Sequence, residues 1–144
     1  MDAKFYSKVT EFMDQIPFNQ FLGIKNIQIT EGFARLECPF RSEFVGDMTR
    51  PALHGGVTSS LIDTCGGAAL ISKIEPLDRL STFDLRIDYL RPGLCEDIFV
   101  EVTILRMGNR VGVSDMVAFQ SEGKKAPIAI GRGVYNIIRK SDQA

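Results

Sequence analysis

The spacing of apolar positions changes along the chain, and each change marks an element. Over residues 3–14, Phe5, Val9, Phe12 and Met13 recur at helical spacing while Lys4, Lys8, Glu11 and Asp14 fill the other face, which predicts a short amphipathic helix. Pro17 ends it, and Phe18, Phe21 and Leu22 form a compact apolar link before Gly23. From Ile24 the pattern alternates. Ile27 and Ile29 lead to a Glu31-Gly32 turn, and Phe33, Arg35 and Glu37 then oppose Ala34, Leu36 and Cys38, which predicts a β-hairpin. Residues 39–51 carry Arg41, Glu43, Gly46, Asp47 and Arg50 and read as a loop.

The stretch from Gly55 to Ser72 has neither alternation nor a polar face. Its one charge is Asp63 and every other residue is apolar or small, the composition of a helix covered on nearly all sides. Glu75-Pro76 breaks it. Beyond, Phe83, Leu85, Ile87 and Tyr89 share one strand face against Thr82, Asp84, Arg86 and Asp88, until Arg91-Pro92-Gly93 turns the chain. Residues 98–106 and 111–121 flank a Gly108-Asn109 hairpin signal, and a last strand runs through Ile128, Ile130, Val134, Tyr135 and Ile137. Four consecutive strands predict a meander. The expected architecture is α+β: an antiparallel sheet of about six strands curled around one long helix, with a short N-terminal helix, as a single domain over residues 1–144. Such a sheet leaves edges that need covering, so a second subunit is expected.

Composition narrows the picture by exclusion. The net charge of −1 is spread evenly: residues 1–80 hold 8 basic and 10 acidic residues, residues 81–144 hold 9 and 8, and no nucleic-acid surface is implied. Cys38, Cys65 and Cys95 are too few and scattered for a disulfide framework or a Cys-x-x-Cys metal site. With no secretory-type N-terminus and no run approaching the roughly 20 apolar residues of a membrane span, a soluble protein of the reducing cytoplasm is expected.

The chemistry gathers on the central helix. His54-Gly55-Gly56 opens it, so its first free N–H groups lie where no side chain obstructs close approach, and two such donors with the helix dipole suit an oxyanion. Tight packing is the alternative role for the glycines. An ionised Asp63 in apolar surroundings costs several kcal/mol unless paired or solvated, so it is either bonded to Ser59, Ser60, Thr64 or a partner chain for structure, or kept for chemistry. Asp63 lies eight residues beyond Gly55, roughly 12 Å along the axis. If both act on one carbonyl, the simplest arrangement sets the glycine end of one subunit opposite Asp63 of another. His54 is the one histidine, which makes a His-based metal site improbable, and its separation from Cys65 excludes a dyad within one chain. Cys65 reads as core, Gly66-Gly67 as a close contact, and Gly131-x-Gly133 lacks the helix a phosphate loop requires.

The segments Arg50-Pro51-Ala52-Leu53-His54-Gly55-Gly56, Leu61-Ile62-Asp63, Ser81-Thr82-Phe83-Asp84 and Tyr89-Leu90-Arg91-Pro92-Gly93 resemble the hotdog-fold acyl-CoA thioesterases of the phenylacetate-pathway (PaaI-like) branch. The likeness runs from about Phe21 to Arg139, and the spacing from His-Gly-Gly to Asp is its most specific part. It implies a hotdog homodimer, often a dimer of dimers, hydrolysing acyl-CoA thioesters with no metal or other cofactor. By the same resemblance the Gly55 N–H polarises the carbonyl, with His54 in the catalytic motif and Gly56 beside the substrate. The facing subunit's Asp63 activates water or attacks directly, and Thr82 places the water or the carboxylate. Tyr89, Arg91, Pro92 and Gly93, with the turn carrying Asn109 and Arg110, would lie near the pantetheine and phosphates of coenzyme A. Where the family commonly has Asn beside the substrate, this chain has Met48 beside Asp47, and methionine cannot donate an amide's hydrogen bond, so either Asp47 substitutes or the site works differently. That departure keeps a second function in view, a hotdog module that binds acyl-CoA without turnover. A hydratase of the same fold is weaker, because its Asp and His pairing is absent.

Overall fold

A long helix lies across one face of a six-stranded antiparallel sheet. The computed structural model describes residues 3–143. In α1 (Ala3–Gln15) the buried residues are Val9 and Met13, whereas Phe12, expected on the same stripe, is 54% exposed because it stands about 100° round the axis from Met13. Pro17 does more than end α1. Its fixed φ and missing N–H suit a first helical position, so it opens α2 (Pro17–Leu22), which Gly23 closes in the left-handed conformation at φ 72°. The expected compact link is therefore a helix, and it leaves Phe18 and Phe21 stacked on the surface.

The hairpin forms as expected from β1 (Lys25–Thr30) and β2 (Phe33–Cys38), with Ala34, Leu36 and Cys38 buried. The segment expected to be loop contains a 3-10 turn at Ser42–Phe44 and a small ribbon, β3 (Val45–Asp47) against β4 (Ala52–Leu53). Then follow α3 (Gly55–Ile71), β5 (Arg79–Tyr89), β6 (Ile98–Met107), β7 (Val111–Phe119) and β8 (Ala129–Ile138).

The strand order, β1-β2-β6-β7-β8-β5, corrects the expected meander. Only β6, β7 and β8 follow one another; β5 takes the far edge against β8, and β6 returns to pair with β2. The reason is the connection. Residues 90–97 can reach about 26 Å when extended, enough to cross three strand spacings of about 4.8 Å each, whereas a tight turn would force neighbours to pair. Buried Gln120 fixes this crossing segment through the Leu94 N–H and the Leu94 and Glu96 carbonyls.

A second correction concerns β5. A bulge at Phe83, between Thr82 and Asp84, shifts the alternation by one residue. Phe83 is turned out to 67% exposure, and Thr82 faces the helix on the same side as Leu85, Ile87 and Tyr89.

Helix α3 packs against β2, β6, β7, β8 and β5. The Cys65 thiol lies 3.5 Å from the carbonyls of both Ala34 and Val100, and a Cβ on Gly131 would stand 2.6 Å from Ile62, so the strand glycine lets the helix sit close. Burial drives the Cys65 thiol well above its ordinary pKa, consistent with the core role expected of it. Gly66 and the Gly131-x-Gly133 pair are likewise packing positions. Among the described residues no helix is long and apolar enough to cross a membrane.

Candidate active site at the central helix

The helix start is built by its own N-cap. His54 is extended at φ −64° and ψ 128°, and its Nδ1 accepts from the Gly56 N–H at 2.8 Å. One of the two donors expected at the glycine pair is therefore occupied. The Gly55 N–H has no acceptor among the described residues and is the one left to bind an anion. From the other side the Tyr89 hydroxyl donates to the Gly55 carbonyl at 2.8 Å, and a Cβ on Gly55 would stand 3.2 Å from the Tyr89 ring. Glycine is what allows this ring to lie against the first turn.

Beside that turn lies a cleft of about 430 Å³, lined by Gly55, Thr58, Tyr89, Arg91, Pro92 and Gly93 among others. The Gly93 carbonyl accepts from the Leu53 N–H at 2.9 Å, which joins the crossing segment to the residue preceding His54. Arg91 is exposed and forms no ion pair among the described residues.

Asp63 stands two turns further along and does not line this cleft. Its Oδ1 accepts from Thr82 Oγ1 at 2.9 Å, and its main-chain carbonyl accepts from the Tyr135 hydroxyl at 3.1 Å. Oδ2 has no hydrogen-bond partner among the described residues. The hydroxyls considered as structural partners do something else: Ser59 and Ser60 donate to the Gly56 carbonyl and Thr64 to the Ser60 carbonyl. Asp63 is thus held by one side-chain bond, with one of its two carboxylate oxygens unbonded, on the flank of the helix that packs against β5.

The other candidates separate into two places. Met48 projects from a loop tip at 86% exposure. Neighbouring Asp47 is committed to that loop, accepting from the Thr49 hydroxyl at 2.7 Å and from the Thr49 and Arg50 N–H groups, which together hold its carboxyl below the usual carboxylate range. Asn109 and Arg110 lie at the opposite end of the sheet from Tyr89, close to the end of β8. Arg139 Nε donates to Asn109, and Arg110 pairs with Asp142 at 3.2 Å. One chain therefore joins Gly55 to Tyr89, Arg91, Pro92 and Gly93, and joins Asp63 to Thr82, without joining these groups to Asn109 and Arg110. Tyr135 escaped the reading of the sequence. The one available signal was a phenol on a strand face that otherwise carries Ala129, Gly131, Gly133 and Ile137.

Comparison with known proteins bears on this arrangement. The model of the thioesterase superfamily matches residues 51–127, a span running from the residues just before His54 to the approach of β8. The medium/long-chain acyl-CoA thioesterase YigI of Escherichia coli strain K12 is 33% identical over 116 residues, covering 72% of this chain and 75% of that protein. A solved protein from Shewanella oneidensis related to the thioesterase superfamily is 30% identical with a TM-score of 0.82, covering 93% of this chain and 95% of its own. The E. coli PaaI protein from the phenylacetic acid degradation operon superposes with a TM-score of 0.84 at 23% identity, covering 95% and 96%, a likeness of fold.

Proposed function

The chain belongs to the thioesterase superfamily and is a thioester hydrolase, and on that premise we propose that it cleaves small or medium-chain acyl-CoA, aromatic acyl groups included, at a site shared by two copies. The observation that carries the proposal is Asp63, a charged residue on an otherwise uncharged helix, held through Oδ1 by Thr82 of β5 while Oδ2 has no hydrogen-bond partner among the described residues. The Gly55 N–H of one protomer accepts the thioester oxygen as negative charge develops there. A donor of this kind contributes about 3–4 kcal/mol to lowering the barrier. The partner's Asp63 takes a proton from water, or attacks the carbonyl itself, while Thr82 fixes its orientation. Separation of Gly55 from Asp63 along one rigid helix, roughly 12 Å, is what calls for the second copy.

In this reading residues 1–144 form one hotdog domain that works in the cytoplasm as a homodimer or a dimer of dimers. It uses coenzyme A thioester as substrate and no further cofactor. Tyr89, Arg91, Pro92 and Gly93 border the pantetheine. The partner's copy of the Asn109 and Arg110 turn offers charge to the phosphates. YigI's own name, medium/long-chain, supports the medium-chain end of this range and extends past it to longer chains.

The test is thiol release from a panel of acyl-CoAas a function of two variants. Asp63→Ala should lower kcat by at least about a thousandfold. Gly55→Pro deletes the donor at a first helical position, after a residue already extended, and should lower kcat by about a hundredfold or more. Gly55→Ala, which meets the Tyr89 ring in the same way but keeps the donor, is the control for that contact and should lose less than about tenfold. Mixing Asp63→Ala with Gly55→Pro should restore activity, since each heterodimer regains one site with both groups intact. Unimpaired Asp63→Ala would overturn the chemistry, absence of complementation between folded variants would overturn the shared site, and acyl-CoA binding without turnover in the unmodified protein would favour a binding module.

A further inference from the structure

Two hydroxyls that face each other across neighbouring strands hold Asp63 from different sides. Thr82 of β5 and Tyr135 of β8 are register partners. Thr82 bonds the carboxylate at 2.9 Å, and Tyr135 bonds the main-chain carbonyl of the same residue at 3.1 Å. The bulge at Phe83 turns Thr82 inward, so the pairing depends on an irregularity placed beside the site.

Tyr135 is a demanding residue for this position. It is 1% exposed, and a buried hydroxyl left unpaired costs about 1–3 kcal/mol, a cost phenylalanine of nearly the same volume would not carry. Space for it comes from Gly66 on the facing helix and from Gly133, two residues earlier on its own strand. A Cβ on Gly66 would stand 2.2 Å from the phenol oxygen, and one on Gly133 would stand 2.4 Å from the ring. Packing alone accounts for the ring and leaves the hydroxyl unexplained. Burial first, and then the charge of Asp63, drives the phenol far above its ordinary pKa, so it stays a protonated donor.

We infer that Tyr135 is a positioning residue for thioester hydrolysis: it pins the turn of α3 that carries Asp63 while Thr82 pins the carboxylate, leaving Oδ2 aimed at the substrate. The inference rests on Asp63 being the reactive carboxylate. Restraint from backbone and side chain together matters because small displacements of a reacting group cost large factors in rate.

The experiment is steady-state hydrolysis by Tyr135→Phe, with folding checked by circular dichroism and thermal melting. The hydroxyl acts on geometry and not on substrate affinity, so kcat should fall about tenfold while KM stays within about twofold. In an Asp63→Asn background, where no carboxylate remains to position, the same substitution should change the residual rate less than about twofold. Gly66→Ala, which crowds the hydroxyl without deleting it, should reproduce the kcat loss. A folded Tyr135→Phe with wild-type kcat, or an equal fold-loss in both backgrounds, overturns the inference. If Asp63→Asn is itself fully active, the functional reading fails first; if it is inactive while Tyr135→Phe is unimpaired, only the inference fails.

Discussion

The two edges of the sheet are built differently. β1 is six residues long, its alternation is interrupted by a bulge at Ile27, and α1 lies beside it, with the Asp14 carboxylate accepting from the Asn26 amide. β5 is eleven residues long, turns Phe83 out to 67% exposure, and carries the hydroxyls of Thr82 and Tyr89 that bond Asp63 and Gly55. Both edges carry a bulge, but a short strand beside a helix is a blunted edge, whereas a long one with a phenylalanine turned out at its bulge invites another chain. The edge that is poorly protected is also the one that touches both halves of the candidate site. Exposure and chemistry coincide on β5, and the proposed dimer explains both.

The sharpest way to break that comparison is to place a charge on the open edge. Phe83→Asp should weaken self-association by roughly 100-fold, about 3 kcal/mol, and lower activity in parallel at dilute protein concentrations, as read by sedimentation and thiol release on the same samples. A dimer of undiminished affinity would show that β5 is not the contact.

A smaller effect is expected where β5 begins. Asp78 ties the start of that strand to the end of β8: Arg139 Nη1 donates to it at 2.7 Å and the Lys140 N–H at 2.8 Å. The Lys140 N–H, with the Arg139 side chain and the Glu75 N–H, outweighs desolvation and holds the Asp78 carboxyl below its ordinary value. A depressed carboxyl contributes stability above its unfolded value of about 4, and that contribution is lost as pH falls through the folded value. Asp78→Asn should therefore cost about 1–3 kcal/mol at neutral pH, with the gap to wild type closing in acid, in urea titrations across that range. A gap that persists unchanged below the carboxylate range would mean that shape, not charge, anchors the strand.

How far these features could be read in advance depended on whether local pattern decided them. The hairpin, the central helix and the last strand have periodic or uniformly apolar sequences, and they form where expected. Gly55 and Asp63 stood out through residue type and spacing. The inward face of β5 did not, because one bulge residue reverses everything on one side of it and nothing in Thr82-Phe83-Asp84 announces the bulge. Pairing of β5 with β8 was hidden for a similar reason: a connection long enough to cross the sheet permits either edge. The role of Gly56 changed once His54 was seen to occupy its N–H, and Tyr135 came to light only when the register placed it opposite Thr82.

The mildest test sits on the protected edge and is the control for the strongest. Ile27 is 49% exposed on the bulge of β1, so Ile27→Asp makes the same kind of change as Phe83→Asp, a carboxylate in place of an exposed apolar group beside an edge bulge. Because the bulge has already removed Ile27 from the regular ladder, stability should change by no more than about 1 kcal/mol. Association and kcat should match wild type. If the charge at Ile27 dissociates the protein as readily as the charge at Phe83, the asymmetry of the edges has no bearing on assembly, and the shared site must be sought elsewhere on the surface.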